Sequence, residues 1–214
     1  MASKSKEAYK DFSKGSDVVA QWKVPLRDKT HIVAFEHGAM LTGRRVVFVD
    51  GDVVVRKEFV FNLLGTESFR IGDTKCAVLI DPGEHGWTFK YTLIVNKKPL
   101  ETFLKDNGLM TKTWLPMIKG QPRRVVLEKS DITIYVDGKK VETVAEFMDS
   151  DDEDGSESHT GTWQNFMIDD SACCKIKVYS SQDRFKGMLY DLYVHDKLVP
   201  VATRDKILET ERPS

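Results

Sequence analysis

Short segments in which apolar and polar residues alternate run along most of the chain, and they predict β-strands. In residues 91–95 and 175–179 the alternation has a period of two, which is the pattern of a strand with one buried face. Residues 46–49 and 132–136 are rich in β-branched and aromatic side chains, which favours the same structure. Helical periodicity is scarce and predicts short helices at 100–106 and 203–211. The pattern therefore predicts an all-β protein.

Two Asp-Gly pairs follow predicted strands and predict tight hairpin turns. Asp50-Gly51 ends VVFVDG and Asp137-Gly138 ends TIYVDG. A type I′ turn needs a positive φ at both central residues, which Gly and Asp tolerate better than most residues. We interpret both aspartates as turn residues rather than catalytic ones, and expect further turns at 96–98 and 196–197.

The repeated VDG phrase belongs to a longer repeat with an offset of about 90 residues, the size of a small domain rather than of a solenoid unit. The matched pairs keep the same order in both halves: Trp22 with Trp114, Val33 with Val125, Glu58-Phe59 with Glu146-Phe147, Phe69 with Phe166, Cys76 with Cys173, and Tyr91 with Tyr190. We predict two tandem, similar antiparallel β-sandwich domains that arose by internal duplication. The predicted bounds are a flexible tail at 1–15, domains at 16–107 and 113–202, and a C-terminal tail at 203–214.

An acidic segment at residues 149–158 interrupts the second copy. Five of the six residues from Asp149 to Asp154 are acidic, and no apolar residue lies in the segment. Such charge density favours a solvated, mobile loop whose removal leaves the fold intact. A calcium site is the sharper alternative, although the spacing is not that of an EF-hand. Ser150, which acids follow, is a candidate phosphate acceptor.

The overall charge balance argues against a general attraction to nucleic acid or anionic membranes. The 214 residues include 32 Lys and Arg and 33 Asp and Glu, a net charge of -1. The three cysteines do not form a disulfide framework, which favours a reducing compartment. The N-terminus lacks the apolar stretch of a signal peptide, and the apolar runs are too short for membrane insertion. We expect a cytoplasmic protein.

No arrangement of residues in the sequence indicates catalysis or metal binding. The histidines His31, His37, His85, His159 and His195 lack metal-ligand spacing, and CxxC, GxSxG, P-loop and GxGxxG motifs are absent. Cys173 and Cys174 should face opposite sides of a strand, one in the core and one exposed, while Cys76 shares the core position of Cys173. A nucleophile at Cys173 or Cys174 lacks a local signature. We therefore predict no catalytic, cofactor-binding or metal-binding residues, no cofactor and no enzymatic activity.

Aromatic and basic residues leave a second function class open. Trp22 and Trp114 occupy matched repeat positions, so we expect both in the core, whereas Trp87 and Trp163 are free to form a platform for sugar or lipid. Basic pairs flank predicted strands and are interpreted as edge charges that discourage aggregation: Arg44-Arg45, Lys97-Lys98, Arg123-Arg124 and Lys139-Lys140.

Several blocks, in order, resemble the Fas apoptotic inhibitory molecule family over residues 18–200. They are Phe35-Glu-His-Gly38, Gly43-Arg-Arg-Val-Val-Phe-Val-Asp-Gly51, Arg56-Lys-Glu-Phe59, Phe61-Asn-Leu-Leu-Gly65, Tyr91-Thr-Leu-Ile-Val95, Val126-Leu-Glu-Lys129, Gly138-Lys-Lys-Val-Glu-Thr143 and Glu146-Phe147. The chain departs from the family in its Lys-rich N-terminal tail, in the acidic segment and at 160–165.

The resemblance implies a cytosolic, non-enzymatic protein of two β-sandwich domains. It also implies restraint of death-receptor apoptosis, protection against stress-induced aggregation, or both, through binding to apoptotic signalling components or misfolded chains. It transfers no catalytic or partner-binding residue, and oligomeric state is left open. The alternative is a β-sandwich that binds sugar or lipid.

Overall fold

The computed structural model describes residues 18–38, 42–84, 88–148, 161–181 and 187–209. Within them the chain divides into two compact units. Unit 1 comprises Val18–Pro25 and Thr30–Asp106, and unit 2 comprises Leu26–Lys29 and residues 107–209. The domain bounds inferred from the sequence stay a prediction, and the Leu26–Lys29 turn groups with unit 2. The 1–15 tail and the acidic segment lie outside the described residues.

The described strands of unit 1 form two antiparallel, four-stranded sheets, each with its strands in chain order. The first contains β1 (Val18–Pro25), β2 (Thr30–Gly38), β3 (Arg44–Val49) and β4 (Asp52–Lys57). The second contains β5 (Gly65–Ile71), β6 (Thr74–Pro82), β7 (Phe89–Val95) and β8 (Lys98–Pro99). Helix α1 (Leu100–Met110) begins directly after Pro99, as predicted, and runs beyond the expected end at Asp106.

Unit 2 continues the antiparallel pattern. Its strands are β9 (Thr111–Trp114), β10 (Met117–Ile118), β11 (Gln121–Pro122), β12 (Val125–Glu128), β13 (Thr133–Val136), β14 (Lys139–Lys140), β15 (Val144–Phe147), β16 (Gly161–Ile168), β17 (Ala172–Ser180), β18 (Met188–Val194) and β19 (Lys197–Val199). One sheet has the order β14-β13-β12-β9, a second joins β15 to β19 in chain order, and β10 pairs with β11. Helix α2 (Arg204–Glu209) follows near the predicted position.

The core of each unit lies between its two large sheets, so the all-β sandwich prediction is confirmed. In unit 2 a single cluster of buried residues joins Trp114 and Leu127 of one sheet to Phe166 and Ile176 of the other. In unit 1 the Phe35 ring of β2 contacts the Tyr91 ring of β7 with centroids 5.6 Å apart. In β6 and β17 alternate residues are buried, which is the period of two expected from the sequence. In β3 and β12, by contrast, three or more consecutive residues are buried.

Both Asp-Gly pairs form the predicted hairpin turns. The φ angles are 54° and 93° at Asp50 and Gly51, and 47° and 80° at Asp137 and Gly138. The Ile32 amide donates to Asp50 Oδ1 at 2.9 Å. The Arg124 amide donates to Asp137 Oδ1 at 2.7 Å, so both carboxylates stabilise their hairpins in the same way.

The later turns differ slightly from the expectation. Positive φ angles occur at Asn96 and Lys97 and at His195 and Asp196, so the second turn begins one residue earlier than predicted.

Equivalent strands pair in a similar register within each unit. This register shows that Cys76 corresponds to Cys174, not to Cys173. Phe69 pairs with Cys76 in unit 1, whereas Phe166 pairs with Cys174, not Cys173, in unit 2. The β16–β17 turn has one residue more than the β5–β6 turn, and a shift of one residue moves a side chain to the other face of a strand. The register fits a duplication, but common origin of the halves stays a prediction.

Candidate functional site

Exposed aromatic side chains mark the surfaces most suited to binding. In unit 1, Phe59 is 77% exposed and Phe61 is fully exposed. In unit 2, Phe147 is 86% exposed and Val144 is also exposed. Burial of large apolar side chains is favourable by about 2 kcal/mol each, so exposed clusters of them are informative. Phe59 and Phe147 lie at matched repeat positions, in the Glu58-Phe59 and Glu146-Phe147 pairs, whereas Phe61 and Val144 have no apolar counterpart in the other half.

Residues 58–64 of unit 1 form a loop that we call the aromatic loop. A buried ion pair fixes the position of its backbone. Arg45 and Glu67 are 3% and 2% exposed, and Arg45 Nη1 lies 2.7 Å from Glu67 Oε1. Arg45 Nη2 donates to the carbonyls of Asn62 and Leu64 at 2.5 and 3.0 Å. The guanidinium therefore links the loop backbone to a buried carboxylate.

Further hydrogen bonds fix the two ends of the aromatic loop. The Val60 amide donates to the Thr42 carbonyl at 2.9 Å, and the Leu64 amide donates to Asn62 Oδ1 at 3.1 Å. Lys57 Nζ lies 2.7 Å from the second oxygen of Glu67. Hydrogen bonds hold the loop backbone while its aromatic side chains point into solvent, so little backbone conformational entropy is lost when these side chains bind a partner.

Strand β15 is the corresponding element of unit 2, and it forms one edge of the five-stranded sheet. All four of its residues are exposed. In unit 1 the matched Glu58-Phe59 pair lies in the irregular aromatic loop, not in a strand. An exposed apolar strand at a sheet edge can pair with another extended chain.

Trp163, one of the two tryptophans predicted to be free, lies in a cluster of rings and cations on the outer face of the same sheet. Lys175 Nζ lies 4.8 Å from the centre of its ring, Lys177 Nζ lies 5.8 Å away, and Tyr193 packs against it edge-on at 5.6 Å. The Trp163 ring is half-buried, and these cation and ring contacts cover part of its surface. A platform for sugar or lipid stays a prediction, and Trp87 lies outside the described residues.

Tyr179 extends this cluster toward β18. Its hydroxyl donates to Asp191 Oδ2 at 2.7 Å. This hydrogen bond, with a contribution from burial, raises the pKa of Tyr179 to about 12. The phenol is therefore neutral at physiological pH and acts as a hydrogen-bond donor.

The two matched tryptophans differ in burial although they share register. Trp114 is fully buried and pairs with Val125, while Trp22 pairs with Val33 and is only partly buried. The core prediction is therefore met completely by Trp114 and in part by Trp22.

The cysteines have the exposure expected for adjacent strand residues: Cys173 is exposed and Cys174 is buried. Burial raises the pKa of Cys174 to about 12 and that of Cys76 to about 11. Because the thiolate is the nucleophilic form, these two buried thiols are unsuited to covalent catalysis.

Two of the described histidines, His31 and His37, contact side chains within unit 1. His37 Nδ1 lies 3.0 Å from the Tyr91 hydroxyl, and burial together with the nearby Arg45 lowers the pKa of His37. His31 Nδ1 lies 2.8 Å from Asp50 Oδ2. Within the described ranges no group of three His, Cys, Asp or Glu side chains is placed to hold a metal ion. His85 and His159 lie outside these ranges.

Two of the basic pairs are not edge charges, which corrects the sequence interpretation. Arg44 and Arg45 lie on β3, which is paired on both sides, and Arg45 forms the buried ion pair with Glu67. Arg124 is also buried, and Arg123 Nε lies 2.5 Å from Asp137 Oδ2. Arg44, Arg45 and Arg123 contact acidic side chains that are distant in sequence, so their local sequence does not reveal these contacts.

The lysine pairs fit the original interpretation better. Lys98 lies on β8, and Lys139 and Lys140 form β14; each strand is at the end of its sheet and exposed. Charged residues on such strands oppose unwanted pairing. Among the residues that the structure describes, no helix has the length and apolar character needed to cross a membrane.

The fold and surface define a β-sandwich protein that exposes several large apolar side chains. A sequence model of the Fas apoptotic inhibitory molecule family matches residues 18–202. The chain therefore belongs to the Fas apoptotic inhibitory molecule family, which confirms the resemblance. The family is named for inhibition of apoptosis, which is not an enzyme class.

Mammalian relatives match most of the chain. Fas apoptotic inhibitory molecule 1 of Bos taurus is 39% identical over 191 residues, which cover 88% of this chain and 89% of the bovine protein. The Homo sapiens protein of the same name is 39% identical over 187 residues, covering 86% of this chain and 97% of its own length. The Mus musculus protein is 37% identical over 191 residues, covering 88% and 99%.

Proposed function

We propose that this protein protects cells by binding other proteins and catalyses no reaction. The proposed partners are components of death-receptor signalling, misfolded chains exposed during stress, or both, and the proposed location is the cytoplasm. The observation that carries the proposal is the family match over residues 18–202.

The surface chemistry is suited to such binding. Phe59 and Phe61 on the aromatic loop and Phe147 on β15 offer apolar contacts, while lysines lie on other exposed edge strands. A protein that binds unfolded chains needs apolar contact sites and must also limit its own association. The combination of exposed phenylalanines and charged strand ends meets both needs.

Light scattering of an aggregating client tests the chaperone-like arm. A heat-labile client such as citrate synthase is incubated at its aggregation temperature with increasing amounts of the full chain. We expect scattering to fall in a dose-dependent way, and an equal mass of an unrelated β-sandwich protein serves as control. If scattering is unaffected at every ratio of the chain to the client, protection against aggregation is ruled out as the function.

A cell assay tests the signalling arm separately. Cells that express the chain and cells that carry empty vector are exposed to a death-receptor ligand, and caspase activation is measured. We expect lower caspase activation in the expressing cells. Equal activation in both, together with a negative scattering result, would contradict the proposal as a whole.

A further inference from the structure

The hydrogen-bonding pattern of β15 leaves a defined set of backbone groups facing outward. The Met148 amide donates to the Gly161 carbonyl at 3.1 Å. Bonded and non-bonded pairs alternate along an antiparallel ladder, so Glu146 and Val144 also direct their backbone groups toward β16. Ala145 and Phe147 therefore direct their N–H and C=O groups away from the sheet. Among the described strands, β15 pairs only with β16.

The side chains of β15 give its free edge two different faces. Phe147 and Ala145 pair with Thr162 and Gln164, which lie on the face that carries the buried Phe166. Glu146 pairs with Trp163, which lies on the outer face among the lysines. An incoming strand would meet apolar groups on one face and a carboxylate on the other.

A second copy of β15 fits this edge poorly. An antiparallel pair that used the outward groups of both Ala145 and Phe147 in each copy would set Ala145 opposite Phe147. That register places Glu146 directly opposite Glu146, and like charges directly opposite each other are destabilising. The charge pattern favours a partner with a basic residue at the centre.

We propose that β15 binds an extended segment of another protein as a sixth strand, and that this segment has the pattern apolar–basic–apolar. The apolar residues lie opposite Ala145 and Phe147, and the basic residue lies opposite Glu146. The outward N–H and C=O groups of Ala145 and Phe147 form hydrogen bonds with the bound segment. The side chains of β15 determine which segment sequences bind best. The inference rests on the proposed function, since it names the chemistry of the segment that a bound protein presents.

Peptide binding to the full chain tests the proposal directly. The probe is a fluorescein-labelled heptapeptide, Ser-Thr-Val-Lys-Val-Thr-Ser, and its partner probe carries Glu in place of Lys. Fluorescence anisotropy should give about fivefold tighter binding for the Lys peptide, and Glu146→Lys should reverse this order. Hydrogen exchange at the Ala145 and Phe147 amides should slow when the Lys peptide binds.

Two variants of β15 and one matched control distinguish strand addition from nonspecific binding to exposed apolar side chains. Ala145→Pro removes an outward N–H that β16 does not use, so the β15–β16 ladder should remain while peptide affinity falls at least tenfold. Phe147→Ser should lower affinity about tenfold without a stability change, because the ring is exposed. Leu109→Ser removes a similarly exposed apolar side chain from helix α1 and should leave affinity within twofold. Thermal unfolding confirms that each variant is folded.

Several results would overturn the assignment. They are an absence of binding by the wild-type chain, equal binding by Ala145→Pro, an unchanged order of the two peptides in Glu146→Lys, or loss of binding in Leu109→Ser. A wild-type dimer that Ala145→Pro dissociates in analytical ultracentrifugation would assign the edge to a second copy and also overturn it.

The scattering assay distinguishes failure of the site from failure of the function. If the wild-type chain and Ala145→Pro protect the client equally, the β15 assignment is wrong while the proposed function stands. If neither protects, while the peptide still binds at β15, the function is wrong in its chaperone-like arm.

Discussion

At the residue scale, the buried Arg45–Glu67 pair connects the interior of unit 1 to the aromatic loop. The carboxylate accepts from Arg45 and from Lys57, and Arg45 also donates to two loop carbonyls. A buried pair of this kind adds little net stability over an apolar pair, but loss of one partner leaves an uncompensated charge. Its role is therefore to fix the path of residues 58–64.

We expect Glu67→Gln to lower the free energy of unfolding by about 3 kcal/mol, because Arg45 would lose its counter-charge in a buried site. Glu58→Gln is the matched control. Glu58 is exposed, lies 3.4 Å from Arg44 and 3.3 Å from Arg56, and should change stability by no more than about 0.5 kcal/mol. Urea titration measures both values, and equal losses would show that the buried pair has no special structural role.

At the element scale, the two hairpins that share the VDG phrase differ in their surroundings. Gly51 has a φ of 93° and open space where a Cβ would lie. Gly138 has a φ of 80°, and its Cβ would lie 2.7 Å from the Cβ of Asp28. Glycine is therefore favoured at position 51 by its backbone angle alone. At position 138 it is favoured both by the backbone angle and by the lack of space for a side chain.

We expect Gly51→Ala to cost about 1 kcal/mol of stability from the left-handed backbone alone. Gly138→Ala should cost at least about 1 kcal/mol more, because the turn around Asp28 must shift to admit the added methyl group. Chemical denaturation of the two variants, each compared with the wild-type chain, gives the difference. Equal costs would mean that the Asp28 turn moves away freely.

Local pattern predicted the strands and turns because both depend on neighbouring residues. Alternation and Asp-Gly pairs mark the central hairpins, and the structure has them where the sequence placed them. Features set by distant partners were not predictable in this way. Arg45 was interpreted as an edge charge because its partner, Glu67, is on another strand, and Cys76 was matched to Cys173 because one added turn residue shifts the register.

The exposed aromatic surfaces were missed for the same reason. Phe59 and Phe147 were recognised as repeat matches, but their exposure depends on which strands reach them. One sequence signal was available: residues 58–64, Glu-Phe-Val-Phe-Asn-Leu-Leu, do not alternate and lie between Lys57 and Gly65. A short apolar run without alternation that follows an edge strand deserves to be tested as a surface loop.

At the scale of the whole molecule, binding has to be reconciled with an almost neutral charge. With 32 basic and 33 acidic residues, long-range attraction to a client of either sign is weak. Affinity must then come from short-range contacts at places such as β15 and the aromatic loop. Apolar contact and backbone pairing depend little on ionic strength, whereas attraction between exposed charges is screened.

We therefore expect protection of a heat-stressed client to change less than twofold between 10 mM and 150 mM NaCl, as the Debye length falls from about 30 Å to about 8 Å. Light scattering at each salt concentration measures protection, with the client alone at the same concentration as reference. Phe147→Ser should weaken protection at both salt concentrations, because it removes apolar contact and no charge. If protection is strong at 10 mM but largely lost at 150 mM, charge attraction drives capture, and the exposed phenylalanines are not its main source.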